Sequence, residues 1–318
     1  MTWSPTACGI RSSTAWPEAS DSRRDTGSVA TDLEQAPLPT VSVRVAGGTH
    51  ADDLRAVRIV WKRELIRFFR NKVRIATSLV QPVLFLFVLG TGLSPVISTG
   101  HHVDFRTFMF PGVMAMAVLF TAIFSAISIV WDREFGFLRE MLVAPVSRAS
   151  LVVGKCLGGA TVATFQGVVI VVLAGAVGVP YDPVMILTLI GELLLLAFTL
   201  TAFGVMAAAR MQQIESFQMV MQFLVLPMFF LSGAVFPLSH LPVWLRVLTL
   251  VDPVSYAVDP MRRTVFAHLR LPAGVTHTLE PGITWFGWHL PVLLELGIVL
   301  ALGVVMLVVA VGQFSRPE

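Results

Sequence analysis

Six windows of roughly 20 apolar residues, each long enough to cross about 30 Å of hydrocarbon, lie at 75–93, 108–130, 157–179, 184–209, 219–238 and 286–312. Backbone N–H and C=O groups inside a bilayer must be paired within their own segment, so each window predicts a helix and the fold class is an all-α polytopic membrane protein. The composition agrees: 55% hydrophobic and 14% charged residues, with a mean hydropathy of +0.77, lie outside the soluble globular range. Lys and Arg near the windows set the orientation. Eight fall in 55–74, four in 131–156, and one each at Arg210 and Arg316; the other side has Arg106, none in 180–183 and four in 239–285. The bias of 14 against 5 predicts that both termini are cytoplasmic. The start of the chain also lacks a cationic stretch followed by an apolar core and a small-residue cleavage site, so the N-terminus is expected to stay inside.

The polar N-terminal part divides in two. Residues 1–50 are rich in Ser, Thr, Pro, Ala and Gly without a helical period, which predicts a disordered cytoplasmic tail. Residues 51–74 read as an amphipathic interfacial helix. At 100° per residue Leu54, Val57, Trp61, Leu65 and Phe68 share one face, and Arg63, Arg67, Arg70 and Arg74 line the opposite one. Such a helix lies along the membrane surface with its cations near anionic headgroups, and Trp61, Arg63, Glu64, Arg67 and Arg70 are its candidate contacts. The transmembrane domain then covers 75–312, with a short cytoplasmic tail at 313–318.

The first cytoplasmic loop contains "WDREFGFLREMLVAP". Trp131, Phe135, Leu138 and Leu142 fall on one stripe of a short helix, leaving Asp132, Arg133, Glu134, Arg139 and Glu140 for water or a partner. Pro145 disfavours helix at Ala144 and limits the element. A loop that only reverses the chain needs no such stripe, so the segment reads as a docking element on which another protein pushes. Its candidate residues are Trp131, Arg133, Glu134, Phe135, Gly136, Leu138, Arg139 and Pro145.

Met and aromatic side chains make adaptable apolar surfaces for bulky lipophilic ligands, and they also fill ordinary helix packing. Phe110, Met114, Phe120 and Phe124 in the second window, with Met219, Gln222, Phe223, Leu226, Met228 and Phe229 in the fifth, are the candidates for a translocation path. Glu192 and Glu295 are acids inside windows, where an ionisable group costs on the order of 2.5–3.5 kcal/mol on insertion scales. With no matching cation near them in sequence, they read as helix-to-helix hydrogen-bonding groups or as the relay of a proton-coupled secondary transporter. No metal site is expected: His101-His102 lacks further ligands. Cys8 and Cys156 both map to the cytoplasmic side, so no disulfide is expected. There is no phosphate-binding G-x-x-x-x-G-K-[ST] loop, so no nucleotide cofactor is expected on the chain itself and any ATP is hydrolysed elsewhere.

Three stretches carry a resemblance: "WKRELIRFFRNK" before the first window, "REFGFLREMLVAPVSRASLVVGK" in the first loop, and "FLSGAVFPLSHLPVWLRVLTLVDPVSYAVDPMRR" at 230–263. In this order and position the chain resembles, from about 55 to 312, the permease subunit of a type-2 ABC exporter of the daunorubicin-resistance kind. The resemblance implies a six-span half-transporter that pairs with a second copy, in a four-subunit complex whose separate ATP-binding subunits use ATP and Mg²⁺. It implies that 131–145 is the cytoplasmic coupling helix and that spans two and five border a central cavity. It also implies that short re-entrant helices between spans five and six cap the outer mouth, with Asp252, Pro253, Tyr256, Asp259 and Arg262 as the residues there. The expected setting is a bacterial plasma membrane, to which the 20 Arg against three Lys also point, and the expected cargo is a lipophilic drug or a lipid-like molecule. Multidrug or antibiotic resistance follows from the resemblance alone.

Overall fold

The computed structural model describes residues 50–97, 104–136, 147–236, 242–269, 282–285 and 288–315. The tail over 1–49, the His101-His102 pair, and Leu138, Arg139, Leu142 and Pro145 lie outside the described residues.

Helix α1 (His50–Arg70) is followed after one residue by α2 (Lys72–Leu84), a π-helical turn at Phe85–Leu89, and α3 (Gly90–Ile97). Asn71 makes the joint: its side chain accepts from Arg74 N at 3.0 Å and caps α2. Next come α4 (Phe105–Ser125) and α5 (Ile127–Glu134), separated only by Ala126, then α6 (Arg148–Val171), α7 (Pro183–Ala208) and α8 (Ile214–Leu231). The short helices α9 (Val243–Val251) and α10 (Ser255–Ala267) precede a two-residue antiparallel ladder, Thr284–Trp285 with Trp288–His289, and the last helix α11 (Val292–Ser315).

Six stretches are helical, long and apolar enough to cross a bilayer: Lys72–Pro95, Phe105–Glu134, Arg148–Val171, Pro183–Ala208, Ile214–Leu231 and Val292–Ser315. The third starts well before 157 because Ser147 caps it, its hydroxyl accepting from Ser150 N at 3.2 Å. Arg148 and Lys155, which an apolar window excludes, therefore belong to the helix. The same helix stops at Val171, before the turn at Ala174–Val177 that ends on left-handed Gly178 (φ 78°). The fifth begins at Ile214, ahead of the expected 219.

Helices α4, α6 and α7 pack on one another, α11 lies against α7, and α2 and α8 flank α4. Burial follows this order: 72% of the apolar window in α4–α5 is buried, against 17% in the first and last stretches and 22% in the fifth. Phe110, Met114, Met116, Leu119 and Ile123 of α4 are fully enclosed. Helix α10 seats against α4, α7 and α11 at the end of the bundle remote from α1.

Candidate coupling junction and translocation surface

The α1 end of the bundle is organised around Asp132. Its carboxylate accepts from Lys155 Nζ of α6 at 2.8 Å and from Arg63 Nη2 of α1 at 3.3 Å, while Lys155 also donates to Ser128 Oγ at 3.1 Å. Glu64 Oε1 lies 3.6 Å from Lys155. Lys155, Asp132 and Glu64 have side chains no more than 10% exposed, so their charges are tolerated because they neutralise one another. This cluster joins the end of the second span, the start of the third and the surface helix. Sequence reading missed it because Lys155 was assigned to a loop and Asp132 to solvent.

Helix α1 approaches α6 closely because two glycines four residues apart face it. A Cβ at Gly154 would sit 2.8 Å from Val60 Cβ, and one at Gly158 would sit 2.7 Å from Glu64 Cβ. Trp61 Nε1 donates to Thr161 Oγ1 at 3.1 Å, and Ser147 N donates to Asp53 Oδ1 at 3.0 Å. The packed face is therefore Ala56, Val60, Glu64 and Phe68, rotated from the expected stripe: Leu54 is 75% exposed and Leu65 only half-buried. The stripe calculation placed Glu64 off the apolar face, and only the Gly154/Gly158 groove explains why that residue is inside. Arg63 is correspondingly drawn to Asp132, Arg67 Nη1 lies 3.9 Å from Glu64, and Arg70 is exposed.

Of the segment expected to form the coupling helix, 131–134 is the tip of the second span, and 137–145 lie outside the described residues. Helix α5 ends at Glu134, and Gly136 takes φ 80°, a left-handed conformation that favours glycine. Arg133 and Glu134, expected to be left for water or a partner, also bond within the bundle, and Glu134 stays exposed. Arg133 Nη1 donates to Ala209 O (2.8 Å) and Met211 O (3.1 Å), satisfying carbonyls just beyond α7. Glu134 Oε2 accepts from Ile214 N (2.9 Å) at the start of α8, an acidic group at a helix N-terminus. Trp131 and Phe135 remain outward, 50% and 57% exposed, with ring centroids 5.0 Å apart. The five consecutive residues 131–135 thus bind α1, α6, the end of α7 and the start of α8 and present one aromatic pair.

The translocation candidates separate. Phe110 and Met114 are fully buried and serve as core. Phe120 and Phe124 are half-buried, stacked at 6.3 Å, and line a cavity with Gln81 and Pro82. On α8, Met219 (72% exposed), Gln222, Phe223 (77%) and Leu226 form one continuous open face at i, i+3, i+4 and i+7. Met228 is half-buried and Phe229 is buried, its ring edge-on to Phe85 of the π turn at 5.8 Å.

At the far end the capping residues are packing groups. Arg262 is buried, donates to Gly233 O and lies over the Phe108 ring at 4.4 Å. Asp252 accepts from Val254 N (3.1 Å) and Ser255 Oγ (3.3 Å), and burial pushes its carboxyl up to about 7. Pro253 beside it is half-buried. Tyr256 Oη donates to Leu250 O (2.8 Å) and accepts from Trp285 Nε1 (3.2 Å); burial raises this phenol as well. Asp259 pairs with Arg263, which also reaches Glu295 Oε1 of α11 at 3.2 Å, and Thr264 Oγ1 donates to Glu192 Oε1 of α7 at 2.9 Å. No cation lies near Glu295 in sequence, and the fold brings one to it from 32 positions away, Arg263. The i,i+4 spacing of Asp259 and Arg263 was the signal available. Among the described residues no His/Cys/Asp/Glu group is arranged to hold a metal, and Cys156 is a buried free thiol.

Comparison with known proteins gives a match to the ABC-2 type transporter family over residues 55–266. Nodulation protein J of Rhizobium leguminosarum bv. viciae is 29% identical over 212 residues, 65% of this chain and 80% of that protein. Nodulation protein J of Rhizobium meliloti strain 1021 is 26% identical over 208 residues, 64% and 78% of the two chains. YbhR of Escherichia coli K12, whose name describes a probable multidrug ABC transporter permease, is 28% identical over 168 residues, 50% of this chain and 43% of YbhR.

Proposed function

Because this chain belongs to the ABC-2 type transporter family, as the membrane permease subunit of an ABC transporter, we propose that it works as an exporter driven from its α1 end by a separate ATP-binding subunit. The observation that carries this reading is the junction at 131–136. A force on the exposed Trp131/Phe135 pair reaches the end of α7 through Arg133, the start of α8 through Glu134, and α1 and α6 through Asp132. The α1 end is then the cytoplasmic face of a bacterial plasma membrane, as the Lys and Arg bias expects. The partner supplies the ATP and Mg²⁺ chemistry. Two copies pair in a four-subunit complex: α8 and the first span carry largely exposed apolar faces that a second copy would enclose. Met219, Gln222, Phe223 and Leu226 then border the path of a lipophilic drug or lipid-like cargo, a reading that the multidrug name of YbhR supports. Glu192 and Glu295 are engaged with Thr264 and Arg263, which favours their reading as ties between helices over a proton relay.

The double substitution Trp131→Ala with Phe135→Ala tests the reading. Burying each ring in an interface contributes roughly 1.5–3 kcal/mol, so the pair should weaken the ATP-binding subunit's affinity by about a hundredfold or more. Co-purification and cargo-stimulated ATP hydrolysis should both fall at unchanged membrane abundance. Full retention of the partner with normal coupling would exclude this surface as the point where energy enters.

A further inference from the structure

A fissure opens beside the junction, between the end of α1, the start of α2 and the second half of α4. It consists of two adjoining cavities of about 260 Å³ and 180 Å³ that share Phe68, Arg74 and Thr121. The larger has two cations in a mostly apolar lining. Arg67, 45% exposed, and Arg74 line it together with Asn71 and Ser125. Glu64 also lines it, but its carboxylate lies 3.6 Å from Lys155 and 3.9 Å from Arg67. Arg63, Arg67, Arg74 and Lys155 against Glu64 and Asp132 leave two positive charges at this corner. Arg74 Nη2 reaches, among the described residues, only the backbone oxygen of Phe124 at 3.5 Å. The smaller cavity continues toward the middle of the bundle between Pro82 and the stacked Phe120 and Phe124 rings. Where the two meet, Thr121 is 8% exposed and its hydroxyl has no partner among the described residues. A buried hydroxyl facing a cavity without a partner leaves a hydrogen bond to be made.

We infer that this fissure binds one phosphate-headed amphiphile. Arg67 and Arg74 hold the phosphate by charge-assisted hydrogen bonds, a geometry suited to guanidinium. The Thr121 hydroxyl donates to the ester region below, and the apolar chain runs along Phe120, Phe124 and Pro82. Arg67 lines only the larger cavity, Arg74 and Thr121 line both, and Phe120, Phe124 and Pro82 line only the smaller, so the two parts can receive a headgroup and a chain. The inference deepens the exporter reading by naming a ligand class for it. Its binding test uses the permease alone, so a failed coupling experiment leaves it standing.

The full-length permease, purified in detergent and mixed with dioleoylphosphatidylglycerol or dioleoylphosphatidylcholine, is examined by native mass spectrometry for retained lipid. One phosphatidylglycerol per chain should be retained at concentrations where phosphatidylcholine is not. Arg67→Gln with Arg74→Gln should reduce retention at least tenfold. Thr121→Val, which removes only a hydroxyl and keeps the fold, should reduce it about three- to tenfold. Arg55→Gln with Arg58→Gln, exposed cations on the same helix, should change nothing. Equal retention of the two lipids, or wild-type retention by the Thr121→Val and double-Gln variants, overturns the site. In the assembled transporter with ATP and Mg²⁺, lipid lost on turnover marks the ligand as cargo, and lipid retained through turnover marks it as a resident of the bilayer.

Discussion

The bundle has a buried ionic cluster at each end, and the two are built differently. At the α1 end Lys155 lies between two acids on different helices, Asp132 at 2.8 Å and Glu64 at 3.6 Å, and Asp132 also reaches Arg63. At the far end one cation, Arg263, serves two acids, Asp259 on its own helix and Glu295 on α11. Both join helices in surroundings where an unpaired charge is costly. They differ in what adjoins them. The first cluster borders an open cavity and an exposed aromatic pair, whereas the second is enclosed by α10, Leu290 and Ile283. A cluster with an outward handle transmits displacement; a cluster without one ties α10 to α11.

The largest expected effect follows from the acid nearest the buried lysine. Asp132→Asn removes the 2.8 Å partner of Lys155 and leaves it Glu64 at 3.6 Å, and breaking a buried pair by removing one partner costs up to roughly 3–5 kcal/mol. Membrane abundance and the thermal midpoint in detergent should fall sharply, and Lys155→Met added to Asp132→Asn should recover a good part of the loss. If Asp132→Asn is as stable as wild type, the junction is not held by this charge and the contrast between the ends collapses.

A smaller effect separates the ends by pH. Asp252 sits at the α9–α10 corner with its carboxyl raised by burial to about 7, above the ordinary value of 3.8. An acid raised in the folded state favours folding most below its unfolded pKa, and that contribution is lost as pH climbs from about 4 to about 7. At about 1.4 kcal/mol per pKa unit the loss is on the order of 2–4 kcal/mol, felt locally. Amide exchange over 252–258 should therefore be faster at pH 8 than at pH 5 after correction for intrinsic rates. Asp252→Asn should flatten the profile, and exchange in α1 should not follow it. A flat wild-type profile would remove the pH asymmetry.

Periodicity and apolar length were enough to find the six long helices, because a bilayer leaves the backbone no other solution. What a window could not see was polar residues inside helices. Arg148 and Lys155 extend α6, and Glu134 extends the second span, since their side chains are paired by other elements rather than by lipid. The charge bias that sets orientation is additive along the chain and survives such errors of boundary. The junction is pairwise and does not. Arg63 with Asp132 and Arg263 with Glu295 are separated by 69 and 32 positions, and only the packing of α1 into the Gly154/Gly158 groove and of α10 against α11 brings them together. The Phe and Met candidates illustrate the same limit. Phe110 and Phe223 are alike as letters, yet one is fully enclosed and the other 77% exposed, because α4 is central and α8 peripheral.

The smallest expected effect sharpens the comparison most. Glu295→Gln keeps the size of the side chain and an amide oxygen that can still accept from Arg263, while Arg263 retains Asp259. What is lost is the charge on one of two acceptors, and a charge-assisted hydrogen bond replaced by a neutral one is worth about 1–2 kcal/mol. Neutralising Glu295 therefore leaves Arg263 its nearer acid, whereas Asp132→Asn takes from buried Lys155 its nearer acid and leaves only the longer pair with Glu64. The two variants, measured side by side by thermal unfolding in the same detergent, should differ by at least about 2 kcal/mol, with Glu295→Gln the milder. Equal losses would mean that Arg263 depends on Glu295 rather than on Asp259. The far-end cluster would then depend, like its counterpart, on one of its two acids more than on the other.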